Sequence, residues 1–305
     1  GRHLRQRRNL NAIPYGTNFN PDSRDNSLPG NVPLPSTFLR PYRGFGDISY
    51  IEFSSSSNYH SLQTQVNRRF TRGLTLGVSW TWSKSMDLAD SDTILNPFLD
   101  QRMRHYGKAG FDRTHNFVFN YNYFLPKFSQ MWNNPLTRWV LDNWAVSGIT
   151  TFMSGAPIGI GYSLVQAVDL TGAAGAGVDS RVVLTGNPNL PKSERNISRH
   201  FRTEVVKPPA REDFGIGNAP KDPIRGPGIN NWDISIIRDF PFTGDSVRNL
   251  QFRFEMYNAF NHTQFSGVDT GARFDAAGNQ VNARFGEYTA ARPARRIQLG
   301  LKLNF

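Results

Sequence analysis

The chain contains no cysteine, and that single absence removes disulfide frameworks, thiolate nucleophiles and cysteine-ligated zinc together. No stretch approaches the roughly 18 to 20 uninterrupted apolar residues of a transmembrane helix, so any membrane span must be built from strands. Hydrophobic residues make up only 38% of the 305 residues, too few for an ordinary globular interior of that length. Disorder would also lower that share, but aromatics reach 13%, with 23 Phe, and disordered chains are poor in such residues. The apolar material is therefore sparse and bulky. The opening Gly1-Arg2-His3-Leu4-Arg5 lacks the n-region and apolar h-region of a signal peptide, which reads as a removed signal or a fragment.

Several chemistries lack their residues. His3, His60, His105, His115, His200 and His262 form no i, i+2 or i, i+4 pair that would set two ligands on one face. Asp87, Asp90, Asp92 and Asp100 lack the glycine and terminal Glu of an EF-hand and read as a solvated acidic loop. Ser154-Gly155 and the Gly172, Gly175, Gly177 run match neither a nucleophile elbow nor a phosphate loop and read as turns. We expect no enzyme, no cofactor and no metal. The net charge of +11 would suit a polyanion, yet beyond Arg2, Arg5, Arg7 and Arg8 the arginines are scattered, with no recognition helix or RNP motif. Nucleic acid is not expected as a partner; anionic lipopolysaccharide is the easier fit.

What the chain does have is strict alternation, the mark of strands with one face in oil. Leu62, Thr64, Val66, Arg68 and Phe70 oppose Ser61, Gln63, Gln65, Asn67 and Arg69; after the turn Thr71-Arg72-Gly73, Leu74, Leu76, Val78, Trp80 and Trp82 oppose Thr75, Gly77, Ser79, Thr81 and Ser83. A third strand, His115 to Leu125, sets Phe117, Phe119, Tyr121 and Tyr123 against Asn116, Asn120 and Asn122, with Val118 and Phe124 as exceptions. Further strands follow near Asn143 to Met153, Trp232 to Phe240, Leu250 to Tyr257 (Phe252 and Phe254 against Arg253 and Glu255) and Ile297 to Phe305 (Leu299, Leu301 and Leu303 against Lys302).

The connections alternate in length as in transmembrane barrels, which have short periplasmic turns and long outer loops. Tracing back from a periplasmic C-terminus puts Ser266 to Arg292, Leu164 to Asn231 and Asp87 to Arg113 outside, and Pro241 to Arg248, Pro126 to Asp142 and Thr71 to Gly73 inside. The outer segments carry a flexible run, Thr171 to Gly177, and prolines at 208, 209, 220, 223 and 227 that exclude regular ladders. Asn11 to Ser57 reads as another exposed excursion. Arg68 and Lys84 sit at strand ends, where a charge costs little and long side chains reach the interface. Trp80, Trp82 and Trp232 fall toward the outside and Tyr123 and Trp144 toward the inside, as in aromatic girdles.

Several stretches resemble a known family. Asn58-Tyr-His-Ser-Leu-Gln-Thr-Gln-Val-Asn-Arg-Arg-Phe70 with Ser79-Trp80-Thr-Trp82-Ser-Lys84, Phe111-Asp112-Arg113-Thr114-His115-Asn116, Ser154-Gly155-Ala156-Pro157 and Phe252-Arg253-Phe254-Glu255-Met256-Tyr257-Asn258-Ala259-Phe260-Asn261-His262 are similar to the barrel of TonB-dependent receptors. The likeness is to the Oar-like branch, whose members carry an N-terminal carboxypeptidase-regulatory-like domain. It implies a barrel of roughly 22 strands around a plug, of which about seven or eight would lie in this chain. It also implies contact with the TonB protein through a plug absent here, and a C-terminal aromatic, Phe305, read by the outer-membrane assembly machinery.

The expectation is thus an all-β, antiparallel transmembrane barrel portion in the outer membrane. Residues 1–57 would form a strand end and extracellular loop, and residues 58–305 barrel strands and loops. Gln63, Gln65, Asn67, Ser79, Thr81, Asn116, Asn120, Asn122, Arg253, Glu255 and Lys302 are expected to face the lumen. Leu76, Val78, Trp80, Phe252, Phe254, Leu299, Leu301 and Leu303 are expected to face lipid. Arg253, Glu255 and Lys302 read as pairing with one another across the wall. The function expected is energised uptake of a large solute such as an oligosaccharide or iron chelate; the alternatives are a self-contained porin or adhesin barrel and a soluble sugar-binding β-sandwich.

Overall fold

In the computed structural model every residue is described except 2, 71–72, 92–93, 96, 132–133, 174–179 and 243–247. The Thr71-Arg72 turn, Asp92, most of the 171–177 run and the tip of the 241–248 turn therefore lie outside the described residues. The long strands are β1 (Leu4–Asn9), β2 (Ser49–Ser55), β3 (Ser57–Arg69), β4 (Leu74–Asp87), β5 (His115–Phe124), β6 (Trp144–Met153), β7 (Ile229–Pro241), β8 (Asn249–Tyr257) and β9 (Arg296–Asn304).

Strands β3 to β9 form one antiparallel meander in chain order, with the two-residue strand Gly107–Lys108 added beside the end of β4. The register carries the sequence alternation across the whole sheet. Val66 stands opposite Val78, Val78 opposite Phe119, Phe119 opposite Thr150, Thr150 opposite Trp232. On the next pair of strands Ile236 meets Phe254 and Phe254 meets Leu299. A one-residue slip at any ladder would invert every strand beyond it, so the shared apolar face fixes the register.

Among the described residues no second sheet or hydrophobic cluster covers that face, and only the short helix Pro135–Leu141 reaches it, beside Arg238. Leu62, Trp82, Leu299 and Leu301 are 52%, 53%, 67% and 70% exposed, and neither hydrophobic cluster among the described residues contains a residue of β3 to β9. Each such Leu left in water forgoes about 1.5 to 3 kcal/mol of burial, a loss no soluble sandwich would repeat along every strand. The free edge of β3 over 58–69 and the free edge of β9 lack partners among the described residues.

Two expectations need correcting. The Asn11 to Ser57 excursion is not all loop: β2 pairs antiparallel with β1 and is separated from β3 by Ser56 alone. Alternation missed it because adjacent residues Tyr50 and Ile51 are both half exposed. β1 and β2 belong to a separate sheet, in which Arg8 lies beside Glu52 at 3.5 Å and Ile51 and Phe53 are exposed. The outer connections are likewise not merely flexible loops. Residues from the 154–228 and 258–295 connections fold together around Phe201, Phe274, Ile224, Val182 and Ala272, all nearly inaccessible. Thr171 and Ala173, read as the start of a flexible run, are buried, and Ala173 packs with Ile13 and Leu39.

Candidate functional site

The polar face of the sheet comes first, because it presents chemistry over the longest reach. Gln63 stands opposite Thr81 and Thr81 opposite Asn116, Gln65 opposite Ser79, and Asn67 and Asn120 flank Gly77. A Cβ on Gly77 would fall 2.5 Å from the Asn120 side-chain oxygen and 2.9 Å from that of Asn67. Glycine is what lets the two amides close over the strand between them. Asn122 continues this face opposite Thr75 and Ser147.

Arg253, Glu255 and Lys302 also share this face, through register pairs with Gly300, Gln298 and Gln251. They do not pair as ions. Arg253 Nε donates to Gln251 at 2.6 Å, Gln251 donates to Asp239 at 2.9 Å, and Glu255 accepts from the Tyr257 hydroxyl at 3.3 Å. The sheet spacing favours these neighbours two residues along or directly across over a diagonal ion pair. Leu76, Val78, Trp80, Phe252, Phe254, Leu299, Leu301 and Leu303 all lie on the opposite, apolar face. Phe305 follows β9 and is 96% exposed.

At the outer end the 258–295 connection bends over the polar face and borders an open recess of about 760 Å³. Asn231, Asp233 and Tyr257 reach it from strands, with Arg296 and Gln298 from β9 and Arg292 from the connection. The Asp233 carboxylate accepts from the Asn258 amide at 2.9 Å, and Gln264 donates to Asn231 at 3.0 Å. Cationic, anionic, amide and phenol groups thus share one opening with Ile229, Pro293, Ala294 and Ile297, an apolar lining with a few polar groups to orient a solute. None of these residues was singled out as a solute contact from the sequence. Asp233 and Tyr257 had a signal, their place in the alternation; Arg292 had none.

The family-like motifs meet at the joint between sheet and outer cap. Asp112, whose side chain is fully buried, receives the Ser85 amide at 2.6 Å and an ion pair from Arg225, 113 residues away. Arg225 also donates to Thr114 at 2.8 Å and to the Gly155 carbonyl at 3.1 Å. Ser154 accepts from the His115 amide at 3.1 Å, and a Cβ on Gly155 would lie 1.9 Å from the Gly226 carbonyl. Ser154-Gly155 is therefore a close-packed crossing. Asn258 and Asn261, at φ 52° and 53°, use the left-handed region that Asn tolerates to turn β8 into the cap.

His200, wholly buried, sits 2.7 Å from the Arg225 carbonyl through Nε2 and 2.8 Å from the Tyr288 hydroxyl through Nδ1. A carbonyl can only accept, so Nε2 carries the proton. Burial holds the imidazole below its ordinary pKa of 6.5; the Arg225 carbonyl works against this and the Arg195 charge with it. The acidic stretch is also tied into the joint. Lys221 bridges Asp87 and Asp90, the latter at 3.2 Å. For Asp90, burial opposes ionisation, but the Gly110 amide and Lys221 outweigh it and leave the carboxyl below its ordinary range. Asp100 caps the helix Gln101–His105 by accepting from the Met103 amide. The expectation of a solvated acidic loop is corrected for Asp87, which is buried, while Asp90 and Asp100 stay exposed. No group of three metal-ligating side chains occurs among the described residues.

A family model described as an outer membrane beta barrel domain matches residues 1–298. No curated protein matches the chain.

Proposed function

Because the chain belongs to the outer membrane beta barrel domain family, we propose that it supplies barrel wall and extracellular cap to a TonB-dependent receptor that imports a large polar solute. The observation that carries this reading is the packed cap over the mixed-charge recess, at the end of a sheet whose other face is covered by no second sheet or hydrophobic cluster among the described residues. An unpaired strand edge is not tolerated in hydrocarbon, so the edges of β3 and β9 are closed by further strands in the assembled barrel. Solute binds by hydrogen bonds and charge at the vestibule, and no bond is made or broken. Energy reaches the barrel through a plug that contacts TonB, outside this chain. Phe305 serves assembly, and lipid and lipopolysaccharide are the surrounding partners.

Planar-bilayer recording on the protein extracted from outer membranes tests the reading. A plugged receptor gives no steady ionic current and binds the periplasmic domain of TonB. A steady open-channel current without TonB binding would establish the porin alternative.

A further inference from the structure

On the apolar face, at the end opposite the cap, Arg238 breaks the pattern. It belongs to β7 and stands in register with Trp144 and Phe252, yet it is only 7% exposed. Its guanidinium lies 4.2 Å from the Phe240 ring centre, 5.2 Å from that of Trp144 and 5.5 Å from that of Trp139. Trp139 arrives on the short helix Pro135–Leu141. The Nε atom is buried with no hydrogen-bond partner, and no carboxylate pairs with the group among the described residues. The neighbouring Asp142 is already held by the Ser129 hydroxyl and amide, at 2.6 and 3.1 Å.

A buried cation with no directly paired carboxylate is expensive, and cation–π contacts repay part of that, helped by the nearby Asp142 charge. Arg238 lines a groove of about 640 Å³ together with aromatic side chains and Leu250, Phe252 and Leu301. The groove thus joins one guanidinium to a hydrocarbon lining. We propose that this groove is a phospholipid site: the guanidinium takes the phosphodiester, and one acyl chain lies along Leu250, Phe252 and Leu301. Arg matches phosphate geometry through paired N–H donors, and anionic headgroups bind basic pockets at such interfaces. Exposure of Leu136 and Trp139 at 66% and 63% fits a helix lying among headgroups. The site rests on the membrane orientation proposed above, which puts it in the periplasmic leaflet.

Native mass spectrometry on the protein extracted from outer membranes, stripped of lipid and titrated with phosphatidylglycerol, tests the site. Wild type is expected to retain one phosphatidylglycerol with about tenfold higher affinity than Arg238→Gln, the worth of a charge-assisted contact. Diacylglycerol of the same chains should bind wild type no better than it binds the variant. Arg238→Lys, which keeps the charge, should recover part of the difference. Arg68→Gln, another arginine of the apolar face, should leave retention unchanged. Equal retention by wild type and Arg238→Gln, equal retention of diacylglycerol, or displacement by millimolar inorganic phosphate would each overturn the site. Protein that fractionates with the outer membrane yet shows any of these refutes the lipid site while leaving the receptor reading intact.

Discussion

Leu299 and Leu301 of β9 stand 67% and 70% exposed, whereas Phe201 and Phe274 of the outer cap are 0% and 1% exposed, although the cap is the part rich in Gly and Pro. The sheet has period-two patterning with few exceptions and, among the described residues, no buried hydrophobic cluster; the cap has little patterning and a real core. The difference follows if the two regions meet different solvents, as the proposed function has it: hydrocarbon then completes the sheet, while a cap in water must bury its own apolar groups.

Four experiments would break or sharpen this contrast. Phe201→Ala should remove about 3 to 5 kcal/mol from the cap and open residues 154–228 to limited proteolysis, while heat-modifiable gel migration shows the barrel still folded. Equal loss of both would mean that cap and sheet are one cooperative unit. Leu299→Arg should cost about 2 to 4 kcal/mol in lipid, and Gln298→Arg, one residue away on the polar face, close to nothing; denaturant titration in lipid vesicles measures both. Equal costs would deny that the two faces meet different solvents.

Arg225→Ala strands the buried Asp112 carboxylate. Discounted because Arg225 is partly exposed, the penalty is about 2 to 3 kcal/mol, read as earlier thermal release of the cap. The smallest effect is that of pH. His200 binds its proton less readily in the folded cap than in the unfolded chain, so its contribution is fully present above pH 6.5 and declines as pH falls below that value. His200→Gln should flatten this slope in cap unfolding monitored from pH 8 to 5; an unchanged slope would place the titration elsewhere.

Legibility in the sequence followed the range of the interactions. Strands β3 to β9 were readable because alternation is written into neighbours two apart, which puts Val66, Val78 and Phe119 each on an apolar face; that they form one row is decided by the ladder register. Strand β2 was not readable, since Tyr50 and Ile51 put exposed apolar groups on both of its faces. In the candidate site, Asp233 and Tyr257 lay on strands already oriented by pattern, while Arg292 was brought to them by a connection with no period. The Arg253, Glu255 and Lys302 ion group failed for a local reason: Gln251 offered Arg253 a nearer acceptor.

The amino-acid sequence alone determined the seven-stranded meander, its two faces and the absence of thiol or helical-span chemistry, because each depends on composition or on a period of two. Tertiary structure alone decided that the outer connections form a packed cap, that Asp112 meets Arg225 across 113 residues, and that Arg238 is caged by Trp139 and Trp144. Those contacts depend on which distant segments share space, and such proximity leaves no periodic trace in the chain.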